Sequence, residues 1–206
     1  VNEGGGIHVD GEGTVLLTET VQLDPRRNRY ADRARVEAEM ARTIGATTAI
    51  WLPRGLTRDY DDFGTNGHVD IVATLAAPGR LLLHDQRDPG HPDHAVTREL
   101  REILAAQTDA AGRRLEIIDL PAPATLRDEE GFVDWSYVNH LVTNDAVIAC
   151  GFGEPAADAE VDAHLPIGGV RAVEVVALAL GDHLQRQLVV VAQEDRPLAV
   201  VGNLRR

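Results

Sequence analysis

The alternation of short strand-like runs with amphipathic helices restricts the fold of this 206-residue chain more than any other feature of its sequence. The predicted order is strand, helix, strand, hairpin, helix, strand, hairpin and helix. A unit of two or three strands and one helix therefore recurs at a spacing of roughly 70 residues. Short strands with helices on one side are typical of an α+β or α/β repeat that closes around a centre.

Three helices are predicted from the spacing of apolar residues and from their ends. In DPRRNRYADRARVEAEMARTIGA, Val36, Met40 and Ile44 recur every four residues, and Gly45 is suited to cap the helix end. AVTRELREILAAQTDAAG predicts a second amphipathic helix that ends near Gly112. A third helix is predicted to begin in EPAADAEVDAHL, where acidic residues lie near the positive end of the helix dipole.

The runs between these helices are rich in β-branched and apolar residues and predict strands. Single strands are expected in TVLLTETVQL, in TTAIWLP, which Pro53 ends, and in RRLEIIDLPAP. IVATLAAPGRLLLH predicts a hairpin with a Pro-Gly turn. SYVNHLVTNDAVIACGF predicts another hairpin, which turns at Asn144 and Asp145.

Charge and cysteine content exclude some functions and favour others. A net charge of −13 argues against a nucleic-acid partner and suits a cationic small-molecule substrate. No apolar run approaches the roughly 20 residues of a membrane span, so no membrane partner is expected. The single cysteine, Cys150, excludes an intramolecular disulfide and favours a reducing, cytoplasmic setting.

The stretch GTNGHVD holds a histidine and an aspartate, His68 and Asp70, two residues apart. If they lie on a strand, both side chains point to the same face. A carboxylate beside an imidazole stabilises its protonated form and fixes its tautomer, which suits a general acid and base near neutral pH. The pattern also fits a loop histidine beside a solvated carboxylate, and this alternative stays open.

A glycine run near the start of the chain, Gly4 to Gly6, follows the acidic Glu3. Glycines allow the backbone to approach a ligand closely, with the carboxylate beside it. A β-bulge or a flexible terminus explains the run equally well. A nucleotide-binding loop is excluded, because no strand precedes the run and no lysine or helix follows it at the required spacing.

Two further groups are weaker candidates for chemistry. The segment HDQRDPGHPDH has the residue types of a metal site, namely His84, His91 and His94 with Asp85, Asp88 and Asp93. Its prolines and the lack of a helical His-x-x-x-His face favour a solvated loop instead. Cys150 follows the apolar run AVIA, which favours a small buried residue at a strand end over a reactive thiolate.

Five stretches, taken together and in order, resemble the agmatine deiminase family, which includes the porphyromonas-type peptidylarginine deiminases. They are EGGGIHVDGEGTVLLTE, DPRRN, IWLPRGL, GHVD and PAPATL…YVNHLVTNDAVIACGFGEPAADAE. The resemblance runs through about residue 165, roughly four fifths of the chain. It implies the pentein fold, a fivefold pseudosymmetric α/β propeller of ββαβ units around a central active site. The predicted elements correspond to about three of those five units.

The resemblance implies a hydrolase that converts agmatine and water to N-carbamoylputrescine and ammonia, a step of putrescine biosynthesis. A cysteine thiolate attacks the guanidinium carbon, ammonia leaves, and water hydrolyses the covalent intermediate. His68 would protonate the leaving ammonia and then activate the water, and Asp70 would grip the guanidinium group. Glu3 would line the pocket as a second substrate-binding acid. No metal or organic cofactor is implied, and peptidyl-arginine is the alternative substrate.

The sequence departs from the family pattern at both ends. An upstream Arg-Asp segment with another guanidinium-binding aspartate does not occur before Val1, which is not an initiator methionine. VVALALGDHLQRQLVVVAQEDRPLAV stands where the family has the nucleophile segment Gly-Gly-Gly-x-Ile-His-Cys. Net charge also changes, from −14 in residues 1–170 to +1 in residues 171–206. We therefore expect a partial deiminase domain in 1–170 and a divergent segment in 171–206, as in a truncated, frameshifted or altered gene product.

Three functional hypotheses follow. In the first, the chain is an agmatine deiminase family member with an incomplete catalytic set and little activity of its own. In the second, it is a degenerate relative that acts as a cationic-ligand-binding or assembly module. Metal-dependent hydrolysis through the segment from His84 to His94 is the third. An incomplete ring exposes strand edges and apolar faces, so a homo-oligomer is also expected.

Overall fold

The computed structural model describes residues 1–129, 131–142, 146–165, 171–177 and 188–191. Within these ranges the strands are β1 (Ile7–Val9), β2 (Thr14–Thr18), β3 (Thr48–Leu52), β4 (Ala73–Ala77), β5 (Arg80–Asp85), β6 (Glu116–Pro121), β7 (His140–Val142), β8 (Ala146–Gly151), β9 (Arg171–Ala177) and β10 (Leu188–Val191). The α-helices there are α1 (Glu19–Gln22), α2 (Arg33–Ile44), α3 (Asp93–Ala105) and α4 (Pro155–His164). Short 3₁₀ turns form at Gly4–Gly6, Thr57–Tyr60 and Val69–Ile71. The turn predicted at residues 144 and 145, and most of the segment 171–206, lie outside the described residues.

Three sheets share one arrangement of strands. In each sheet the first strand runs antiparallel to the second, and the second runs parallel to the third. The sheets are β1–β2–β3, β4–β5–β6 and β7–β8–β9, the last extended by an antiparallel β10. Helices α2, α3 and α4 join the second and third strands of these sheets in turn. A helical crossover is the usual connection between parallel strands, and the predicted mixed α/β class is confirmed.

The hairpin predicted with a Pro-Gly turn is confirmed. Strands β4 and β5 pair antiparallel, with Ala73 opposite Leu83. Gly79 in the turn has a φ of 75°, a left-handed value that other residues rarely adopt. The strand predicted in TTAIWLP ends at Leu52, directly before the proline, because proline lacks the N–H that a ladder requires.

Helix α2 ends at Gly45 as predicted, but one of its apolar residues lies elsewhere than expected. The Asp32 side chain caps its start by accepting a backbone N–H of the first turn at 2.8 Å, and Gly45 ends it with a φ of 72°. Val36 and Met40 are buried against the first sheet, whereas Ile44 is 46% exposed. An α-helix turns about 100° per residue, so a spacing of four drifts about 40° at each step and carries Ile44 away from the sheet.

Helix α3 ends at Ala105, well before the predicted end near Gly112. The Asp109 side chain accepts hydrogen bonds from the backbone N–H groups of Ala111 and Arg113 at 3.0 and 2.8 Å. Aspartate competes with helical hydrogen bonding in this way, and the result is a turn in place of further helix. Gly112 lies in that turn with a φ of 79°.

The largest apolar cluster joins the first two sheets to helix α3. Leu16 of β2, Leu83 of β5 and Leu100 of α3 belong to it and are each at most 1% exposed. The neighbours of Leu16 in β2 point to the opposite face, where they pack with α2. A third cluster, which includes Tyr137, joins β8 and α4 to the second sheet. None of the helices described here is long and apolar enough to cross a membrane.

Leu16→Ala should destabilise the fold strongly, because it leaves a cavity in the cluster shared by two sheets and a helix. Such truncations cost about 2–5 kcal/mol of unfolding free energy. Ile44→Ala is the matched control, since Ile44 is nearly half exposed and its loss should cost under about 1 kcal/mol. Urea unfolding of both variants measures the difference. A loss for Leu16→Ala no larger than for the control would contradict this account of the core.

Candidate functional site

His68 lies immediately before the Val69–Ile71 turn, which leads into β4. Its own backbone is extended, with φ of −54° and ψ of 141°, and a backbone hydrogen bond then closes the turn. His68 and Asp70 therefore do not lie on a strand, the condition under which the sequence predicts that they share a face. The change of backbone conformation between them still leaves the two side chains close, with Nδ1 of His68 4.0 Å from Oδ1 of Asp70.

The structure brings together all three residues singled out from the sequence. Oε2 of Glu3 lies 2.5 Å from Nε2 of His68, on the ring edge opposite the nitrogen that faces Asp70. A carboxylate only accepts hydrogen bonds, so Nε2 of His68 carries the proton in this contact. The side chains are 39%, 14% and 26% exposed for Glu3, His68 and Asp70, which leaves the group open to a small solute.

Close approach of the backbone at Gly5 makes this grouping possible. A Cβ atom at Gly5 would lie 2.4 Å from Nδ1 of His68 and 2.6 Å from Oδ2 of Asp70. These distances are far inside van der Waals contact, so any side chain here displaces one of the two groups. The glycine run forms a 3₁₀ turn, and neither the β-bulge nor the flexible terminus is found.

Arg27, which sequence reasoning did not single out as a site residue, holds Glu3 in place. Its Nε and Nη2 donate to the two carboxylate oxygens of Glu3 at 3.1 and 3.0 Å. Nη2 also donates to the carbonyl of Thr65 at 2.7 Å, and Nη1 lies 3.6 Å from Asp24. Bidentate pairing of this kind fixes both the position and the charge of a carboxylate. The DPRRN motif contains Arg27, but nothing local to that motif points toward Glu3.

The carboxylates of Glu3 and Asp70 are perturbed in opposite directions. The hydrogen bond from His68, followed by that from Arg27, holds the pKa of Glu3 below its ordinary value of 4.5. Burial raises the pKa of Asp70 above its ordinary 3.8; the charge of His68 opposes that rise and Asp59 adds to it. Glu3 is therefore ionised at neutral pH, whereas Asp70 lies where a cation would favour its ionisation.

Asn139 and Cys150 border the same region from the third sheet. Nδ2 of Asn139 donates to Oδ2 of Asp70 at 3.4 Å, a contact that the sequence did not indicate. Sγ of Cys150 lies 3.9 Å from the carbonyl oxygen of Asn139. Cys150 is partly exposed, so its assignment as a buried core residue is wrong. Its strand alternates toward two faces, and Cys150 occupies the less covered one.

The segment from His84 to His94 is a solvated loop only in its middle, where residues 87–90 are exposed and lie outside helices and strands. His84 lies in β5 and is 2% exposed, and Asp93 begins α3 and is fully buried. Burial lowers the pKa of His84 to about 4, so its ring is neutral near pH 7. Asp85 is partly exposed and Asp88 is exposed, and both form ion pairs with arginines. Within the described residues, no group of three or more histidine, cysteine, aspartate or glutamate side chains is placed to hold a metal ion.

Comparison with known proteins identifies the family. The family model of the Porphyromonas-type peptidyl-arginine deiminases matches residues 1–179. The chain belongs to this family. A candidate agmatine deiminase of Streptomyces coelicolor is 59% identical over 156 residues, which are 75% of this chain and 46% of that protein. The agmatine deiminase of Medicago truncatula is 38% identical over 178 residues, covering 78% of this chain and 47% of its own length.

The family resemblance found in the sequence is thus confirmed, and solved structures share the fold. The agmatine deiminase of Enterococcus faecalis matches with a TM-score of 0.73 and 31% identity over 84% of this chain and 52% of that one. A candidate arginine deiminase of Porphyromonas gingivalis matches with a TM-score of 0.74, covering 84% of this chain and 50% of its own, at 23% identity. The chain spans about half the length of the relatives it matches.

Gly5→Ala should separate His68 from Asp70, because the added methyl group occupies the space between them. Gly4→Ala is the matched control, since a Cβ at Gly4 meets no atom within 4 Å. We expect the ring resonances of His68 in NMR spectra to move in Gly5→Ala and to stay in place in Gly4→Ala. Equal spectra for the two variants would show that the tight contact at Gly5 does not position the imidazole.

Glu3 and Asp70 should contribute to stability with opposite pH dependence. The folded-state pKa of Glu3 lies below 4.5, so its contribution is complete above about pH 4.5 and is lost as pH falls through the folded-state value. The folded-state pKa of Asp70 lies above 3.8, so its ionisation weakens the fold as pH rises from 3.8 through the folded-state value. At pH 7, Glu3→Gln should lower and Asp70→Asn should raise the free energy of unfolding.

Urea unfolding at a series of pH values between 3 and 7 measures both effects, and both should shrink toward the acid end. Asp62→Asn, at an exposed position, controls for the loss of one negative charge. The same sign of change for the Glu3 and Asp70 variants at pH 7 would contradict the opposite environments of the two carboxylates.

Proposed function

We propose that this chain carries the acid–base and guanidinium-binding part of an agmatine deiminase site. The observation that carries the proposal is the grouping of Glu3, His68 and Asp70 around the Gly4–Gly6 turn. It combines an imidazole held by one carboxylate with a second carboxylate suited to a cation. The relatives named agmatine deiminase support the choice of substrate.

The geometry assigns different work to the two nitrogens of His68. Nε2 is engaged by Glu3 at 2.5 Å, so Nδ1, on the side of Asp70, is the nitrogen that serves the substrate. When both nitrogens are protonated, Nδ1 gives its proton to the departing ammonia. The neutral Nδ1 then takes a proton from the water that attacks the remaining carbon–sulfur intermediate. Glu3 stabilises the positive ring that exists before the first step and again after the second.

Asp70 is the group that we assign to the guanidinium. Its partly buried carboxylate accepts a long hydrogen bond from Asn139, at 3.4 Å, and lies 4.0 Å from Nδ1 of His68; neither contact is the bidentate pairing that Arg27 gives Glu3. A guanidinium offers paired N–H donors that match two carboxylate oxygens. Glu3 differs, because Arg27 already occupies both of its oxygens. We therefore propose that Glu3 lines the pocket mainly by holding His68, and that it meets the substrate as the second acid of the site.

The nucleophile is the part of the catalytic set that we do not assign within these 206 residues. In the family the thiolate adds to the guanidinium carbon, the carbon–nitrogen bond breaks, and water later displaces the thiol. The segment 171–206 contains no cysteine. Cys150 contacts the backbone of Asn139, which in turn contacts Asp70, so its sulfur lies beside the site.

We propose that the three ββαβ sheets are three units of a five-unit pentein propeller and that residues 171–206 diverge from the family. Homo-oligomerisation and a cytoplasmic location belong to the same proposal. A non-catalytic module that binds a cationic ligand or supports assembly is the alternative. The same site geometry also serves peptidyl-arginine, the other substrate class that the family's name indicates.

The chain should bind agmatine through Asp70 and release ammonia from it only at background rate. Losing a nucleophile typically costs several orders of magnitude in rate, so turnover is expected to be negligible with agmatine and with peptidyl-arginine. Asp70→Asn should weaken agmatine binding about 10- to 100-fold, since a hydrogen bond to a charged group contributes roughly 1.5–3 kcal/mol. Calorimetry measures binding, and an ammonia-release assay measures turnover.

Two controls make this test decisive. Putrescine, which lacks the guanidinium group, should bind no better than background, and Asp62→Asn should bind agmatine as the unaltered chain does. Equal affinity for agmatine and putrescine would remove the guanidinium assignment. Robust turnover abolished by Cys150→Ser would show that Cys150, against our proposal, is the nucleophile.

A further inference from the structure

A buried carboxylate outside the predicted site, that of Asp59, holds the loop that carries His68. Asp59 belongs to the Thr57–Tyr60 turn and is 5% exposed. It accepts four hydrogen bonds from the chain that leads to His68, at 2.5 to 2.9 Å. The donors are the backbone N–H groups of Thr65, Gly67 and His68 and the hydroxyl of Thr65.

These four donors are neutral and come from a stretch of only four residues. A buried carboxylate is tolerated when several oriented donors compensate for its lost hydration, so the charge of Asp59 and the shape of the loop depend on each other. The loop cannot relax without leaving the carboxylate short of donors. Asp59 thereby holds a backbone that includes Asn66 and Gly67 at positive φ values of 65° and 101°.

The main chain of Asp59 also contacts the loop that leads to His68. Its carbonyl oxygen accepts the N–H of Asn66 at 2.8 Å. A Cβ at Gly64 would lie 2.2 Å from the same oxygen, so the loop passes directly against Asp59. Residues 64–68 are therefore bound to Asp59 through both its side chain and its main chain.

His68 is consequently anchored at two points. Its backbone N–H donates to Oδ2 of Asp59 at 2.9 Å, and its ring donates to Glu3 at 2.5 Å. The first contact sets where the side chain leaves the backbone, and the second sets where the ring ends. Together they direct Nδ1 toward Gly5 and Asp70. A ring held only by Glu3 would be free to pivot about that single bond.

We infer that Asp59 is the positioning residue of His68, acting through the backbone of residues 65–68 without touching the substrate. The catalytic meaning of this role rests on the proposed function. Asp59 also adds its negative charge to the surroundings of Asp70, where it disfavours ionisation until a cation is bound. Positioning at this precision matters because an acid–base group must lie within hydrogen-bond reach of the reacting atom.

The test compares Asp59→Asn with Asp62→Asn in the 206-residue chain. An asparagine at position 59 has nearly the same shape as aspartate, but its NH₂ group points donors at the backbone donors that Asp59 accepts from. Asp62 is an exposed acid of the same loop and serves as the control. In Asp59→Asn, the ¹⁵N signals of the His68 ring should lose the signature of the Nε2–Glu3 hydrogen bond. Agmatine affinity should fall about tenfold, equivalent to roughly 1.4 kcal/mol. Asp62→Asn should leave both unchanged.

Thr65→Val provides the milder variant in case Asp59→Asn fails to fold. It removes one of the four donors, the hydroxyl at 2.5 Å, and keeps the shape of the side chain. The His68 signals should shift in the same direction by a smaller amount, with circular dichroism confirming the fold. Unchanged His68 signals in a folded Asp59→Asn or Thr65→Val would overturn the inference.

Two measurements, the His68 ring signals and agmatine binding, distinguish failure of this inference from failure of the proposed function. If the His68 signals move in Asp59→Asn while the unaltered chain binds no agmatine, the positioning role stands and the proposed function fails. If the unaltered chain and Asp59→Asn bind agmatine equally and show the same His68 signals, the proposed function stands and the positioning role is overturned.

Discussion

The close approach of the Gly4–Gly6 turn to the Val69–Ile71 turn is the constraint on which the site depends. Only a glycine at position 5 leaves room for the side chains of His68 and Asp70 beside the backbone. The same junction is held farther along by His8, whose Nδ1 accepts the backbone N–H of Leu75 at 3.0 Å. Burial lowers the pKa of His8 to about 4, so the ring is neutral and able to accept at physiological pH. The first two sheets are thus linked by contacts that also define the site.

The two acids at this junction, Glu3 and Asp70, have different charged neighbours, and this difference separates their roles. Glu3 meets a guanidinium of the protein itself, because Arg27 pairs with both of its oxygens. Asp70 is partly buried, accepts a long hydrogen bond from the Asn139 amide and lies 4.0 Å from Nδ1 of His68. The Glu3 carboxylate is thereby paired through both oxygens and holds His68 in place. The Asp70 carboxylate would still be stabilised by a bound cation. In a chain with a net charge of −13, such a local difference matters more than the overall charge.

Buried acids elsewhere in the fold act as anchors for turns. Asp59 holds the loop before His68, and Asp93 accepts the backbone N–H of Thr57 at 2.7 Å, which starts the turn that carries Asp59. The run of histidines and aspartates from His84 to His94 resembled a metal site because its composition was considered without its burial. The structure divides its members among the end of a strand, an intervening loop and the start of a helix, where they serve different neighbours.

The sequence by itself determined the alternation of strands and helices from β2 to α4, the Gly45 cap, the family, and the His68–Asp70 pattern, since each depends on neighbours a few residues apart. It did not show β1, or that the run predicted as a strand in TVLLTETVQL becomes helix α1 after Thr18. It did not show that His68 precedes a 3₁₀ turn, where α3 ends, or that Cys150 is partly exposed. Only the tertiary structure decided which nitrogen of His68 faces the site and which acid already has a cation. Glu3 and His68 are 65 residues apart, and Glu3 and Arg27 are 24 apart. Hydrogen-bond partners at such separations are set by how sheets pack, and no local spacing encodes them.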